Sequence, residues 1–153
     1  MNQDQAANLD HSVQKQAQYA TFYLGSDFFG VEISSVQEIL RAQELTPAPL
    51  APDYVSGLIN LRGQIVTALD LSIRLLGRRE PASRQSMNVV VKTSDGMVSL
   101  LIDKIGDVLQ VDESLMEPVP STLQSIRREY LKGVCKLDEA LLMILDLQRL
   151  LDG

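Results

Sequence analysis

The stretch Val55-Ser56-Gly57-Leu58-Ile59-Asn60-Leu61-Arg62-Gly63-Gln64-Ile65-Val66-Thr67-Ala68-Leu69 decides how the chain folds. Two apolar runs, residues 55–59 and 65–69, flank a short break that ends in Gly63. That pattern predicts two strands joined by a tight β-hairpin turn. Gly63 suits the turn because glycine reaches positive φ without steric cost. Arg62 has no comparable backbone reason to stand there. It is either a solvated turn charge or a residue with a task the turn does not set.

Moving outward, the hairpin proves to be one of a pair. Tyr54-x-x-Gly57 recurs as Tyr130-x-x-Gly133, and Leu69-Asp70-Leu71 recurs as Leu145-Asp146-Leu147, each 76 residues later. Upstream, Phe29-x-Val31-x-Ile33 recurs as Val98-x-Leu100-x-Ile102. Val36-x-Glu38-Ile39-Leu40 recurs as Ile105-x-Asp107-Val108-Leu109, and both of these repeats are spaced by 69 residues. The difference of seven residues falls in residues 116–128, beside Pro118 and Pro120, where a loop absorbs extra length at little entropic cost.

Each half reads as strand, turn, strand, short turn, strand, proline loop, hairpin and short helix. In the first half a strand begins at Tyr19, Gly25-Ser26-Asp27 turns the chain, and Phe29, Val31 and Ile33 alternate along a second strand. Ser35-Val36-Gln37-Glu38 has the form of a capping box, but it fits a short turn leading into a third strand as well. Pro47, Pro49 and Pro52 mark a loop, and Leu71 to Leu76 is a short helix ended by Gly77. About five short strands in about 65 residues suggest a small barrel. The expectation is a mainly β protein of two five-stranded barrels, the first over about 19–80 and the second over about 84–152. The polar residues 78–86 form the boundary between them, and the polar residues 1–18 form a disordered or loosely attached tail.

Composition narrows the function classes. The 153 residues include 14 basic and 20 acidic side chains, a formal net charge of -6, which argues against a nucleic-acid backbone as partner. Cys135 is the single cysteine, so no intrachain disulfide forms, and its place in a predicted strand suits a small buried apolar residue. His11 is the single histidine and lies in the tail, which argues against a zinc site or a histidine-dependent triad. No apolar run approaches the roughly 20 residues of a membrane helix, and the N-terminus lacks a signal-peptide core, so a cytoplasmic protein is expected. The glycines are too scattered for a phosphate loop, and the adjacent acids Asp112-Glu113 and Asp138-Glu139 read as solvated turns. No catalytic residue, metal or cofactor is expected. A small-barrel nucleic-acid binder and an enzyme with a polar cleft are the readings from other classes.

The duplication lets one half serve as a control for the other. Matching positions, such as Tyr54 and Tyr130 or Gly57 and Gly133, read as structural, and Asp70 and Asp146 each precede a helix as N-caps. The hairpin tip does not match. Arg62 corresponds to Asp138, whereas Glu38 corresponds to Asp107. Only the first half can therefore place an acid on its third element beside a base on its hairpin. An exposed ion pair is a weak stability device. A guanidinium held by a carboxylate is more useful as a preorganised recognition group.

The run from Phe22 through Gly25, Phe29-Gly30-Val31-x-Ile33, Val36-x-Glu38-Ile39-Leu40 and Thr46-Pro47 to Gly57-x-Ile59-Asn60-Leu61-Arg62-Gly63 resembles the CheW family of chemotaxis coupling proteins. The likeness extends from about Tyr19 to Leu151, with Thr67-Ala68 standing where the family usually has a proline and a larger apolar residue. The resemblance implies two five-stranded SH3-like barrels and a non-enzymatic adaptor. It implies as partners the cytoplasmic hairpin tip of chemoreceptors, the regulatory domain of the histidine kinase CheA, and other CheW-like domains in array rings at the inner face of the membrane. It places Arg62 and Glu38 at the receptor-facing surface. Val36, Gly57, Ile39 and Val108 follow them as candidates, with Val36, Ile39 and Val108 lining a groove for the apolar face of a receptor helix.

Overall fold

The computed structural model describes residues 16–77 and 87–152. Among them lie ten strands: β1 (Gln16–Leu24), β2 (Asp27–Glu32), β3 (Val36–Arg41), β4 (Val55–Leu61), β5 (Gln64–Asp70), β6 (Met87–Thr93), β7 (Gly96–Ile102), β8 (Lys104–Asp112), β9 (Leu131–Lys136) and β10 (Leu141–Leu145). Two short helices, α1 (Leu71–Leu76) and α2 (Leu147–Asp152), follow β5 and β10. Both are capped as expected. Asp70 Oδ1 accepts from Ile73 N–H at 3.2 Å, and Asp146 Oδ1 accepts from Arg149 N–H at 3.1 Å. Gly77 closes α1 at φ 74, donating its N–H to Ile73 O. None of the helices described is long and apolar enough to cross a membrane.

The strand order corrects the expectation of two consecutive barrels over 19–80 and 84–152. Sheet I runs β8-β1-β2-β10-β9, and sheet II runs β3-β6-β7-β5-β4. Exchanging each strand for its counterpart in the other half converts one order into the other. Each five-stranded unit therefore combines the first two strands of one half with the last three of the other. The chain leaves sheet I through a 3₁₀ turn at Ile33–Ser35 and returns to it at Asp103. The exchange is sealed by parallel pairing of β2 with β10 and of β5 with β7. Alternation of apolar residues is the same for local and exchanged pairing, so periodicity alone does not separate them.

One smaller correction concerns the tail. Gln16–Gln18, read as tail, belong to β1, where they pair with Asp112, Val111 and Gln110. Residues 1–15 of the tail and the boundary at 78–86 lie outside the described residues.

Strands at the heart of each unit are buried on both faces. Along β6, Val89 and Val91 enter a core shared by both sheets, while Val90 turns into the interior of sheet II. Along β10, Met143 and Leu145 enter the shared core, while Leu142 and Ile144 join Tyr19, Phe28 and Cys135 inside sheet I. The shared core takes Phe22, Phe29 and Val31 from sheet I and Leu69, Leu100 and Ile102 from sheet II. Arg74 of α1 is buried where the units meet. Its guanidinium lies 4.4 Å from the Tyr54 ring centroid and 4.6 Å from that of Tyr130, and its Nε donates to Leu150 O at 2.9 Å. Tyr54 leads into sheet II and Tyr130 into sheet I, so one cation–π sandwich pins both.

Each sheet is closed on itself by a single bridge. Thr46, beyond β3, pairs with Leu58 of β4, and Glu117, beyond β8, pairs with Val134 of β9. Thr46 N–H donates to Leu58 O at 2.8 Å and Leu58 N–H donates to Thr46 O at 2.7 Å. Gly57 and Gly133 sit at these crossings. A Cβ on Gly57 would lie 2.6 Å from Thr46 O, and one on Gly133 would lie 2.8 Å from Glu117 O. Backbone on backbone has little room to yield. Gly57→Ala and Gly133→Ala are each expected to lower stability by about 1–3 kcal/mol, read as an earlier midpoint in urea unfolding. An unchanged midpoint would mean that the closing loops move aside freely.

Candidate functional site

The hairpin tip is a tight turn that carries a long side chain. Leu61 pairs with Gln64, which leaves Arg62 and Gly63 as a two-residue loop. Both have positive φ, 50 for Arg62 and 87 for Gly63, the pattern of a type I′ turn. That turn favours Asn, Asp or Gly at its first central position, because a Cβ crowds the following carbonyl in the left-handed region. Arg62 is thus more than unneeded by the turn; it stands against the turn's preference. The counterpart hairpin is built differently. Lys136 pairs with Leu141, and residues 137–140 form a four-residue loop closed by Leu137 N–H donating to Ala140 O at 2.9 Å.

Glu38 reaches Arg62 from the opposite edge of sheet II. In β3, Val36 pairs with Val91 and Glu38 with Val90, so Gln37 is an extra residue, a β-bulge that bends the strand. The same irregularity recurs at Gly106-Asp107 in β8. The buried Asn88 side chain fixes the far end of β3, donating from Nδ2 to Arg41 O at 3.1 Å while its Oδ1 accepts from Ser99 Oγ. With its strand fixed in this way, Glu38 Oε1 accepts from Arg62 Nη1 at 3.0 Å, and Oε2 accepts a second bond from Arg62 Nη2. Ser35 ends the 3₁₀ turn at Ile33–Ser35 and Val36–Arg41 is strand, so the Ser35–Glu38 sequence is a turn and strand, and the Glu38 carboxylate serves Arg62.

The two partners differ in exposure. The Glu38 side chain is 24% exposed and that of Arg62 is 74% exposed. The carboxylate is recessed and the guanidinium projects. Hydrogen bonding from Arg62, reinforced by its charge, holds the Glu38 carboxyl below its ordinary pKa of 4.5, and Arg62 is raised in turn. A two-pronged carboxylate fixes the plane of the guanidinium and leaves further N–H groups for an acceptor on a partner.

The other candidates divide. Ile39 is 40% exposed on the same strand as Glu38. Val108 is 54% exposed, but it lies on β8 in sheet I, whereas Val36 and Ile39 lie on β3 in sheet II. Val36 is half-buried and packs against the shared core. Gly57 is buried and serves the barrel closure. One residue escaped the sequence reading: Ile65, directly across from Asn60 beside the turn, is 62% exposed. Its apolar run suggested burial; its position one pair from a tight turn, where the sheet ends, was the signal.

A cavity of about 470 Å³ lies elsewhere, lined among others by Glu32, Lys92, Lys132, Asp146 and Leu151. Lys132 Nζ stands 3.2 Å from Glu32 Oε1 there, and none of the six candidate residues lines it. Among the described residues no group of three or more His, Cys, Asp or Glu is arranged to hold a metal. Burial pushes the Cys135 thiol up, which makes it a poor nucleophile.

The model of the CheW-like domain family matches residues 18–153 of the chain. The chemotaxis protein CheW of Treponema pallidum is 32% identical over 142 residues, covering 89% of this chain and 82% of that protein. The chemotaxis protein CheW of Rhizobium meliloti is 33% identical over 127 residues, covering 82% of this chain and 81% of that protein. Among solved structures, the scaffolding protein TtCheW from Thermoanaerobacter tengcongensis superposes with a TM-score of 0.78 at 28% identity, covering 88% of this chain and 86% of that one. With the exchanged five-stranded units and the Asn60–Gly63 hairpin in place, the chain belongs to the CheW-like family of chemotaxis scaffold proteins.

Proposed function

We propose that this protein is a non-enzymatic cytoplasmic adaptor that couples chemoreceptors to the histidine kinase CheA. The observation that carries the reading is the Arg62–Glu38 pair: an exposed guanidinium, on a turn that disfavours it, held flat by a recessed carboxylate. Such a group suits an acceptor at the tip of the receptor's helical hairpin. Ile39 and Ile65, both exposed, supply apolar contact on the same unit, and Val108 offers a second apolar point on the other. Val36 and Gly57 contribute through the shape of β3 and of the barrel closure. The kinase regulatory domain and neighbouring CheW-like domains would take other surfaces, in arrays at the inner face of the membrane. The same adaptor chemistry would serve a non-flagellar motility pathway equally. A nucleic-acid role is disfavoured by the net charge of -6.

Charge reversal provides the test. Arg62→Glu is expected to fold, because residue 62 projects from the turn and is largely exposed, and to lose capture of receptor tips from the same genome while retaining kinase capture. Normal receptor capture by the folded variant would overturn the assignment of Arg62. The pH dependence has a definite sign. Because the folded Glu38 pKa is depressed, the pair is fully formed above 4.5 and is lost only as pH falls through the lower folded value. Receptor capture should therefore be flat from neutral pH down to about 5. A loss between pH 7 and 5 would point to a different titrating group.

A further inference from the structure

Resting on that reading of Arg62, we propose that Asn60 is a positioning residue that fixes the backbone from which Arg62 meets its partner. Gly63 N–H donates to Asn60 Oδ1 at 2.9 Å. The bond spans the turn and encloses Leu61 and Arg62 between its ends. Glu38 holds the Arg62 side chain only at its tip, and the side chain between has several rotatable bonds. A guanidinium anchored at the tip alone can still approach from more than one backbone. Anchored at both ends, it has one.

Three observations support the assignment. Asn60 is an exposed residue at the end of a strand, a setting for which asparagine is a poor choice on propensity alone. Its side chain is spent on the turn and faces Ile65 across the ladder. The two hairpins also differ as a set: where the first has Asn60, Arg62 and Gly63, the second has Lys136, Asp138 and Glu139, while Leu61 and Leu137 match. With no acceptor at the position of Asn60 and no glycine at that of Gly63, the second hairpin opens to four residues. Asn60, Arg62 and Gly63 thus occur together in one hairpin, and none of the three has a like residue at its counterpart position in the other.

The test uses the full chain and two readouts. The first is affinity for the isolated cytoplasmic tip of a chemoreceptor from the same genome. The second is hydrogen exchange at the Gly63 amide of the receptor-free protein. Asn60→Ala is expected to weaken capture by about tenfold and to speed Gly63 exchange by a similar factor, and Asn60→Asp, which keeps the acceptor, to restore both. Asn60→Thr, a good strand former without the reach, should match the alanine variant and covers the case in which that variant fails to fold. In an Arg62→Ala background, Asn60→Ala should cost nothing further in capture. The proposal is overturned if Asn60→Ala or Asn60→Thr binds as the natural protein does, or if the loss is the same with Arg62 already removed. Failure of the docking reading itself is distinct: it appears in Arg62→Ala alone, as normal capture.

Discussion

The exchange of strand pairs between the two halves is the constraint on which the rest of this molecule depends. Because β2 lies beside β10 and β7 beside β5, neither half holds a complete sheet of its own. Phe22, Phe29 and Val31 share one core with Val89, Leu100 and Ile102 of the other sheet. Separating the two halves of the sequence would break both parallel ladders and expose that core at once. The two units pack on one core and are joined by the chain at Ile33–Ser35 and at Asp103, and the hairpin projects from the second of them. The frame is closed by Thr46 on Leu58 and Glu117 on Val134, with a glycine required at each crossing.

Symmetry of this kind fails in informative places. At the meeting of the units there is room for one buried guanidinium, and Arg74 fills it between Tyr54 and Tyr130. The residue 76 positions on is Leu150, whose carbonyl accepts from Arg74. At the hairpin the difference has no packing reason, since both hairpins close and both lead into a capped helix. What differs is presentation. One tip is tight and carries a projecting cation; the other is a wider loop with two acids, Asp138 and Glu139.

The cost of the tight tip is local. A left-handed arginine is disfavoured by its own Cβ, and an exposed ion pair compensates weakly. Under the proposed docking role the arrangement is preorganisation, in which a small local strain in the free protein removes the need to order a long flexible side chain on docking. The β3 bulge and the buried Asn88–Ser99 pair belong to the same provision, because they set where Glu38 stands on its edge strand.

By itself the sequence determined the elements, their order, the duplication and the odd residue at the hairpin tip. Alternating apolar residues, turn glycines and N-cap aspartates are local signals, and local signals survive without a fold. The spacing between the repeats also located the loop that differs in length, and the sign change from Arg62 to Asp138 singled out the candidate site. Only the tertiary structure decided which strands share a sheet, because exchanged and local pairing bury the same faces. It also decided that Glu38 serves Arg62 and does not cap a helix, that Gly57 is a closure residue, that Val108 lies on the other sheet, and that Ile65 is exposed. Each of these turns on the distance between residues far apart in the chain, and periodicity holds no record of that distance.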